Sequence, residues 1–342
     1  MPSLDIFTGN AFSFTALVAA VDKVPFVPGA AGKLGIFDEE GVYTTTIYVE
    51  ERNGRLYLIP NTPRGGPAFQ NTRDGRDGRY FKTLHLPVRD HISADEIQNK
   101  RAFGSETELD IAKTEVDSRL TKMMKSHDAT VEFGRIGALR GRILDANGAT
   151  VLYDLFNEFG VVQQQQDYAL GTNTSNILGL STAVRGMIQD ELGGDGGDEI
   201  TVTAFCGAQW FATFIAHPKV AQAYQYYQTV QANLNPLQMD LRYVGFKFGG
   251  ITYVQYRGQV NGIPFVPANE AIAFPVDVPG IYKTYYAPAD YMETANTQGR
   301  PRYAKMAADP SGFNKFVALE TQSNPLSLCL RPRVLIRIIT SN

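Results

Sequence analysis

Between Arg52 and Arg89 lies a stretch that cannot make a fold of its own. It holds Arg52, Arg55, Arg64, Arg73, Arg76, Arg79, Lys82 and Arg89 against only Asp74 and Asp77, a local surplus of six positive charges. Its middle reads Pro63-Arg64-Gly65-Gly66-Pro67 and then Arg73-Asp74-Gly75-Arg76-Asp77-Gly78-Arg79, with too few apolar side chains to enclose a core. Such a segment is an excursion from a body that folds elsewhere, and it needs a surface to lie on. The whole chain of 342 residues has a net charge of only −3, so the positive charge is concentrated on this one loop.

The flanking sequence reads as ordered structure. Before the excursion, Phe14, Leu17, Val18 and Val21 form one short amphipathic pattern that ends ahead of Pro25, an arm by appearance. From Val42 the period changes to two, with Ile47 and Val49, then Leu56 and Leu58 beyond Glu51-Arg52-Asn53-Gly54. Asn53-Gly54 predicts a tight hairpin turn, because both turn positions take positive φ. After the excursion, Leu109, Ala112, Val116, Leu120, Met123, His127 and Val131 recur at three or four residues in a stretch from Glu106 to Arg140 that contains no proline. This predicts one helix of about 30 residues, and Glu106, Glu108 and Asp110 suit the positive end of its dipole. A second hairpin, Ile143 to Tyr153, turns at Asn147-Gly148.

The polar run from Gln163 to Thr174 separates a second unit, in which helix and strand alternate. Ser175 is placed to cap a helix carrying Ile177, Leu180, Val184 and Ile188, which Gly193-Gly194 ends. A strand follows at Ile200 to Cys206, then a helix from Trp210 kinked at Pro218. Two strands flank Gly249-Gly250, and a branched strand of the body lies at Val334 to Ile339. A chain with 44% hydrophobic and 20% charged residues can bury cores for two such units. The longest apolar run, Ala11 to Val21, is interrupted by Ser13 and Thr15 and falls far short of the roughly 20 residues of a membrane span. Met1 to Asn10 has no Lys or Arg, which argues against a secretory signal. Cys206 and Cys329 sit in apolar surroundings, as two buried thiols in a reducing cytosol would.

Catalytic chemistry finds no foothold. Neither GxGxxG nor GxxxxGK[ST] occurs, so no phosphate cradle is expected. Gly193-Gly194-Asp195-Gly196-Gly197-Asp198 occurs once, and one acidic turn does not complete a calcium cage. His85, His91, His127 and His217 never appear as HExxH or beside a nucleophile elbow, and the Glu39-Glu40 and Glu50-Glu51 neighbours point to opposite faces of a strand. No catalytic residue, cofactor site or metal site is expected. The basic loop lacks the aromatic interleaving of single-strand binders, with only Phe69, Tyr80 and Phe81 nearby, which favours a protein partner over nucleic acid or an unpaired solvated loop.

Several blocks carry a family likeness in order along the chain. At the front these are Phe12-Ser13 with Leu17, Asp22-Lys23-Val24-Pro25, Gly35-Ile36-Phe37, Thr44-Thr45-Thr46, and Leu58-Ile59-Pro60 with Pro63-Arg64-Gly65. At the back they are Tyr256-Arg257-Gly258, Phe274-Pro275, Ala287-Pro288-Ala289-Asp290, Tyr303-Ala304-Lys305, Glu320 with Gln322-Ser323-Asn324-Pro325-Leu326, and Arg331-Pro332. With them the sequence resembles the major capsid proteins of lambda-like tailed phages, the capsid protein E family. The resemblance implies an α+β fold of the Hong Kong 97 capsid type. It implies an N-terminal arm at 1–41, an extended E-loop at 42–90, a peripheral domain at 91–175 with its spine helix at about 106–140, an axial domain at 176–280, and a return to the peripheral domain at 281–342.

On this resemblance the chain assembles with itself into pentamers and hexamers of an icosahedral head around double-stranded DNA, which it contacts weakly and without sequence preference. Assembly takes place in the host bacterial cytoplasm, the final location is the virion capsid, and no membrane is involved. Scaffolding, portal and decoration proteins are the further partners implied. Arg52, Arg55, Arg64, Arg73, Arg76, Arg79 and Lys82 are the expected intersubunit contacts, with Glu106, Glu108 and Asp110 of the spine helix as acidic partners. Asp195, Asp198 and Glu199 form an acidic turn at the axial tip. The alternative is an encapsulin-like compartment of the same fold that encloses cargo proteins.

Overall fold

The computed structural model describes residues 13–22, 29–52, 76–98, 108–193, 200–234 and 245–341. Its longest element is the helix Glu108–Arg140, 33 residues, which at 1.5 Å per residue spans about 50 Å. The apolar positions read from the sequence at Ala112, Val116, Leu120, Met123 and Val131 are buried, together with His127. Each half of the helix serves a different core. The N-terminal half packs with Leu17, Val21, Ile92, Ala304 and Leu319, whereas Ile136, Ala138 and Leu139 belong to the main core.

The described part of the segment read as an arm is stitched into both cores. Leu17 and Val21 of the helix Phe14–Asp22 lie in the smaller core, and Ala30 and Ala31 of the helix Ala30–Leu34 lie in the larger. The reason is the amphipathic stripe itself, which gains stability only where a face covers it.

Around the long helix are two three-stranded sheets. One orders Asp38–Gly41, Tyr282–Tyr286 and Pro325–Cys329; the other orders Tyr303–Ala308, Phe316–Ser323 and Leu86–Ser93. The second unit is built on a six-stranded mixed sheet in the order Gln165–Asp167, Ile336–Ile339, Ala271–Pro275, Val202–Cys206, Ile251–Gln255, Phe246–Phe248. Every residue of Val202–Cys206 and Ala271–Pro275 is buried, as expected for central strands covered on both faces. The C-terminal strand pairs antiparallel with Ala271–Pro275 and parallel with Gln165–Asp167, so both ends of the chain's second half meet in this sheet.

Three local expectations shift in the structure. The cap of the helix Ile177–Leu192 is Asn176, whose side chain accepts the Gly179 N–H at 3.2 Å. Ser175 instead donates its hydroxyl to the Ala169 carbonyl at 3.0 Å, so two adjacent good caps compete and the second wins. At Pro218 the helix does not kink but restarts. Ala208–Ala216 ends, His217 is extended, and Pro218 opens the helix Pro218–Leu234, because a residue before proline is driven out of the helical region. The strand Thr46–Arg52 pairs with Arg76–Lys82, so the connection between the two spans residues 53–75 and is not a two-residue turn. Asn53-Gly54 lies outside the described residues. The Gly249-Gly250 turn stands as read, with φ of +58° and +84° between Phe246–Phe248 and Ile251–Gln255. The loop at Asn147-Gly148 is closed by the Asn147 carboxamide, which accepts the Ala149 and Thr150 N–H groups, both at 2.9 Å.

If the arm helix is structural, Leu17→Ala destabilises the subunit by about 2–5 kcal/mol, the range for emptying a buried leucine site. Thr15→Ala on its exposed side changes little. Chemical denaturation of unassembled subunits measures both, and equal effects would refute this placement.

Candidate intersubunit surface

The ribbon formed by Thr46–Arg52 and Arg76–Lys82 has two unlike faces, because neighbouring residues of a strand point opposite ways. On one face Ile47, Val49 and Phe81 are buried. Phe81 meets the rings of Tyr153 and Phe159 at centroid distances of 5.6 and 6.0 Å. The Tyr153 hydroxyl accepts the Lys82 N–H at 3.0 Å and donates to the Lys82 carbonyl at 2.9 Å, which fixes the root of the ribbon to the body. On the other face Tyr48 and Tyr80 are paired across the strands and exposed, with ring centroids 5.0 Å apart.

The residues expected to make contacts fall in different places. Arg52 ends the outgoing strand and pairs in register with Arg76, which begins the returning one; Glu51 likewise stands opposite Asp77. Arg79 turns toward its own chain, its guanidinium 5.0 Å above the Phe159 ring, and so belongs partly to the root. Lys82 is exposed at the base. Glu108 and Asp110 lie in the first turn of the long helix. Arg55, Arg64, Arg73, Glu106, Asp195, Asp198 and Glu199 lie outside the described residues.

The body that carries the ribbon is cross-braced by charges the periodicity did not reveal. Glu132, buried on the long helix, accepts the Ala31 and Gly32 N–H groups at 2.8 and 3.1 Å and the Tyr256 hydroxyl at 3.1 Å. A Cβ on Gly29 would stand 2.3 Å from that carboxyl group, so only glycine lets the chain approach. Arg302 reaches Asp128 at 2.6 Å and the Val21 carbonyl at 3.4 Å, while His127 is 3.0 Å from the Thr321 hydroxyl. Arg135 binds Glu39 and approaches Thr284 at 3.4 Å. Glu270 holds Arg140 at 3.5 Å and Arg337 at 2.5 Å.

Arg119 gathers Glu96, Glu115 and Asp90 at 2.8, 3.0 and 3.1 Å, and these hydrogen bonds raise its pKa further. Glu39 and Glu40, neighbours pointing opposite ways, pair separately with Arg135 and Lys283. The only signal of these braces in the sequence is polar residues at helical core spacing.

Burial drives the Cys206 thiol well above its ordinary range and the Cys329 thiol up to about 12, which leaves both poor nucleophiles. Among the described residues no group of three or more His, Cys, Asp or Glu could hold a metal ion. No helix among them is long and apolar enough to cross a membrane.

A long braced helix, a six-stranded mixed sheet and a two-stranded ribbon belong to a capsid fold of the Hong Kong 97 type. A solved prophage capsid protein of E. coli CFT073 shares it at a TM-score of 0.56 and 14% identity, covering 96% of this chain and 99% of that one. The chain belongs to the phage major capsid protein E family, whose profile matches residues 13–340. The major capsid protein of Pseudomonas phage KPP10 is 33% identical over 98% of both chains. That of Salmonella phage Felix O1 is 24% identical over 96% of both.

The bracing makes an acid-stability difference measurable. Burial, then the charge of Arg302, pushes His127 down from the ordinary 6.5 to about 4, so the folded state resists protonation that the unfolded chain accepts. This contribution to stability is whole above pH 6.5 and is lost progressively as pH falls to about 4. Between pH 7 and 4 the native chain should lose about 2–3 kcal/mol more than His127→Gln does. Denaturant midpoints across that range measure it, and parallel acid slopes would contradict the assignment.

Proposed function

We propose that this chain is the major head protein of a tailed phage. It assembles with itself into pentamers and hexamers that close an icosahedral shell around packaged double-stranded DNA. The observation that carries this reading is the full-length match to phage major capsid proteins. An encapsulin-like compartment is set aside on the same ground, since those relatives run over 96–98% of the chain. The role is structural and asks for no catalytic residue, cofactor or metal. Assembly belongs to the host cytoplasm, with portal, scaffolding and decoration proteins as separate chains.

The mechanism distributes contact over many weak interfaces. In the proposed partition, residues 42–90 form the loop that lies across the next subunit, 91–175 and the return the peripheral domain, and 176–280 the axial domain. Arg52, Arg55, Arg64, Arg73, Arg76 and Lys82 meet carboxylates of that neighbour, including Glu106, Glu108 and Asp110 of its spine helix. Arg52 and Arg76 stand in register at the end of the paired strands, and a neighbour's carboxylates would match their charge. Each exposed pair adds roughly 0–1 kcal/mol, so single contacts reverse while the closed shell is strong. A net charge of −3 keeps DNA contact weak enough for later ejection. At the axial centres Asp195, Asp198 and Glu199 bring like charge together and depend on screening.

Reversing Arg73 and Arg76 together to glutamate, with Arg79 spared because it packs on Phe159, tests the charged-loop account. Closed particles should fall sharply in electron micrographs while the subunit's thermal melt stays unchanged. Normal heads at normal yield would reject it.

A further inference from the structure

The arginines give the loop attraction without giving it a seat, since exposed ion pairs are weak and tolerate many geometries. We propose that Tyr48 and Tyr80 are the aromatic anchor by which the ribbon docks on a second copy of this chain, at a carboxylate-bearing face. This deepens the self-assembly reading and rests on it.

Tyr48 is 50% exposed and Tyr80 73% exposed, yet they are cross-strand partners with their rings 5.0 Å apart. Tyr48 is held in place by what lies beneath it. A Cβ on Gly78 would come within 1.7 Å of the Tyr48 hydroxyl, so the ring lies across the bare backbone of that glycine. Two large rings are thus pre-positioned in water at low entropic cost, the property that makes tyrosine effective at the centre of interfaces. Among the described residues the body leaves them exposed, because it holds the opposite face through Phe81, Tyr153 and Phe159.

Charge names the occupant. With the whole chain at −3 and residues 52–89 at +6, everything else stands at −9, so a second copy offers the acidic surface that the basic ribbon lacks. The tyrosine hydroxyls suit it also, as donors to carboxylate oxygens around an apolar seat.

The test compares the native chain with Tyr48→Ser/Tyr80→Ser and with Gly78→Ala, which keeps both rings and displaces Tyr48. Sedimentation velocity across a concentration series gives the concentration needed for assembly, and thermal melts report folding. The double variant should need about tenfold more protein to assemble or more, as expected for losing a central aromatic contact, with Gly78→Ala in between and both melts near native. A photo-reactive phenylalanine analogue placed at position 80 should join two copies.

Assembly of both variants at the native concentration, or cross-links confined to one chain or to DNA, would overturn the anchor while the self-assembly reading stands. Should the double variant melt early, Gly78→Ala and the cross-link decide. A native chain that forms no particles overturns the self-assembly reading, and the anchor with it.

Discussion

Buried charge on the long helix is the constraint on which the rest of this structure depends. His127, Asp128, Glu132 and Arg135 are all buried on one element, His127 as the neutral imidazole and the other three carrying charge, and an unpaired charge there costs several kcal/mol. Each is answered by a different, distant part of the chain: Thr321, Arg302, the backbone at Ala31 and Gly32 with Tyr256, and Glu39. An apolar stripe fixes a helix through close packing but without directional bonds. Here a rotation by a fraction of a turn would strand several charges at once, so the register of the helix against the strands around it is fixed.

That fixity gives the ribbon a firm mount. Its inner face is locked through Phe81, Tyr153 and Phe159, and the two hydrogen bonds of the Tyr153 hydroxyl hold both backbone groups of Lys82. The direction in which the ribbon leaves the body is therefore set by the body, and its outer face is presented rather than left to chance. For a protein that closes a shell, presentation matters more than the strength of any contact. A small angular error at each subunit accumulates around a ring, whereas a weak but well-aimed contact can be repeated many times.

Much of this was legible in the sequence, and what was not has definite physical causes. The helix at 108–140 was readable because its apolar spacing persists through 33 residues without a proline. The buried strands and the Gly249-Gly250 turn were readable because their chemistry is local. The partner of Thr46–Arg52 was not, since pairing across residues 53–75 is a long-range choice and Asn53-Gly54 offered a nearer one. Nor were the partners of Asp128 and Glu132, which stand 174 and 100–124 positions away. The contact of Arg79 with Phe159 was hidden for another reason: in the sequence it is one of a row of like arginines, and only the pleat places its guanidinium over that ring.

The same chain thus uses charge in two opposed ways. Inside, pairs such as Arg302–Asp128, with side chains 10% and 7% exposed, are shielded from salt and specify one arrangement. Outside, charges such as Arg89, 81% exposed beside Glu320, are screened and exchangeable. A subunit that keeps one shape while its exposed charges exchange partners needs both kinds kept apart. Were the interior as exchangeable as the surface, a load at the surface would be absorbed by deforming the subunit. Because the interior has one arrangement and the exterior many, strain at the surface is taken up by the exposed pairs and not by the core.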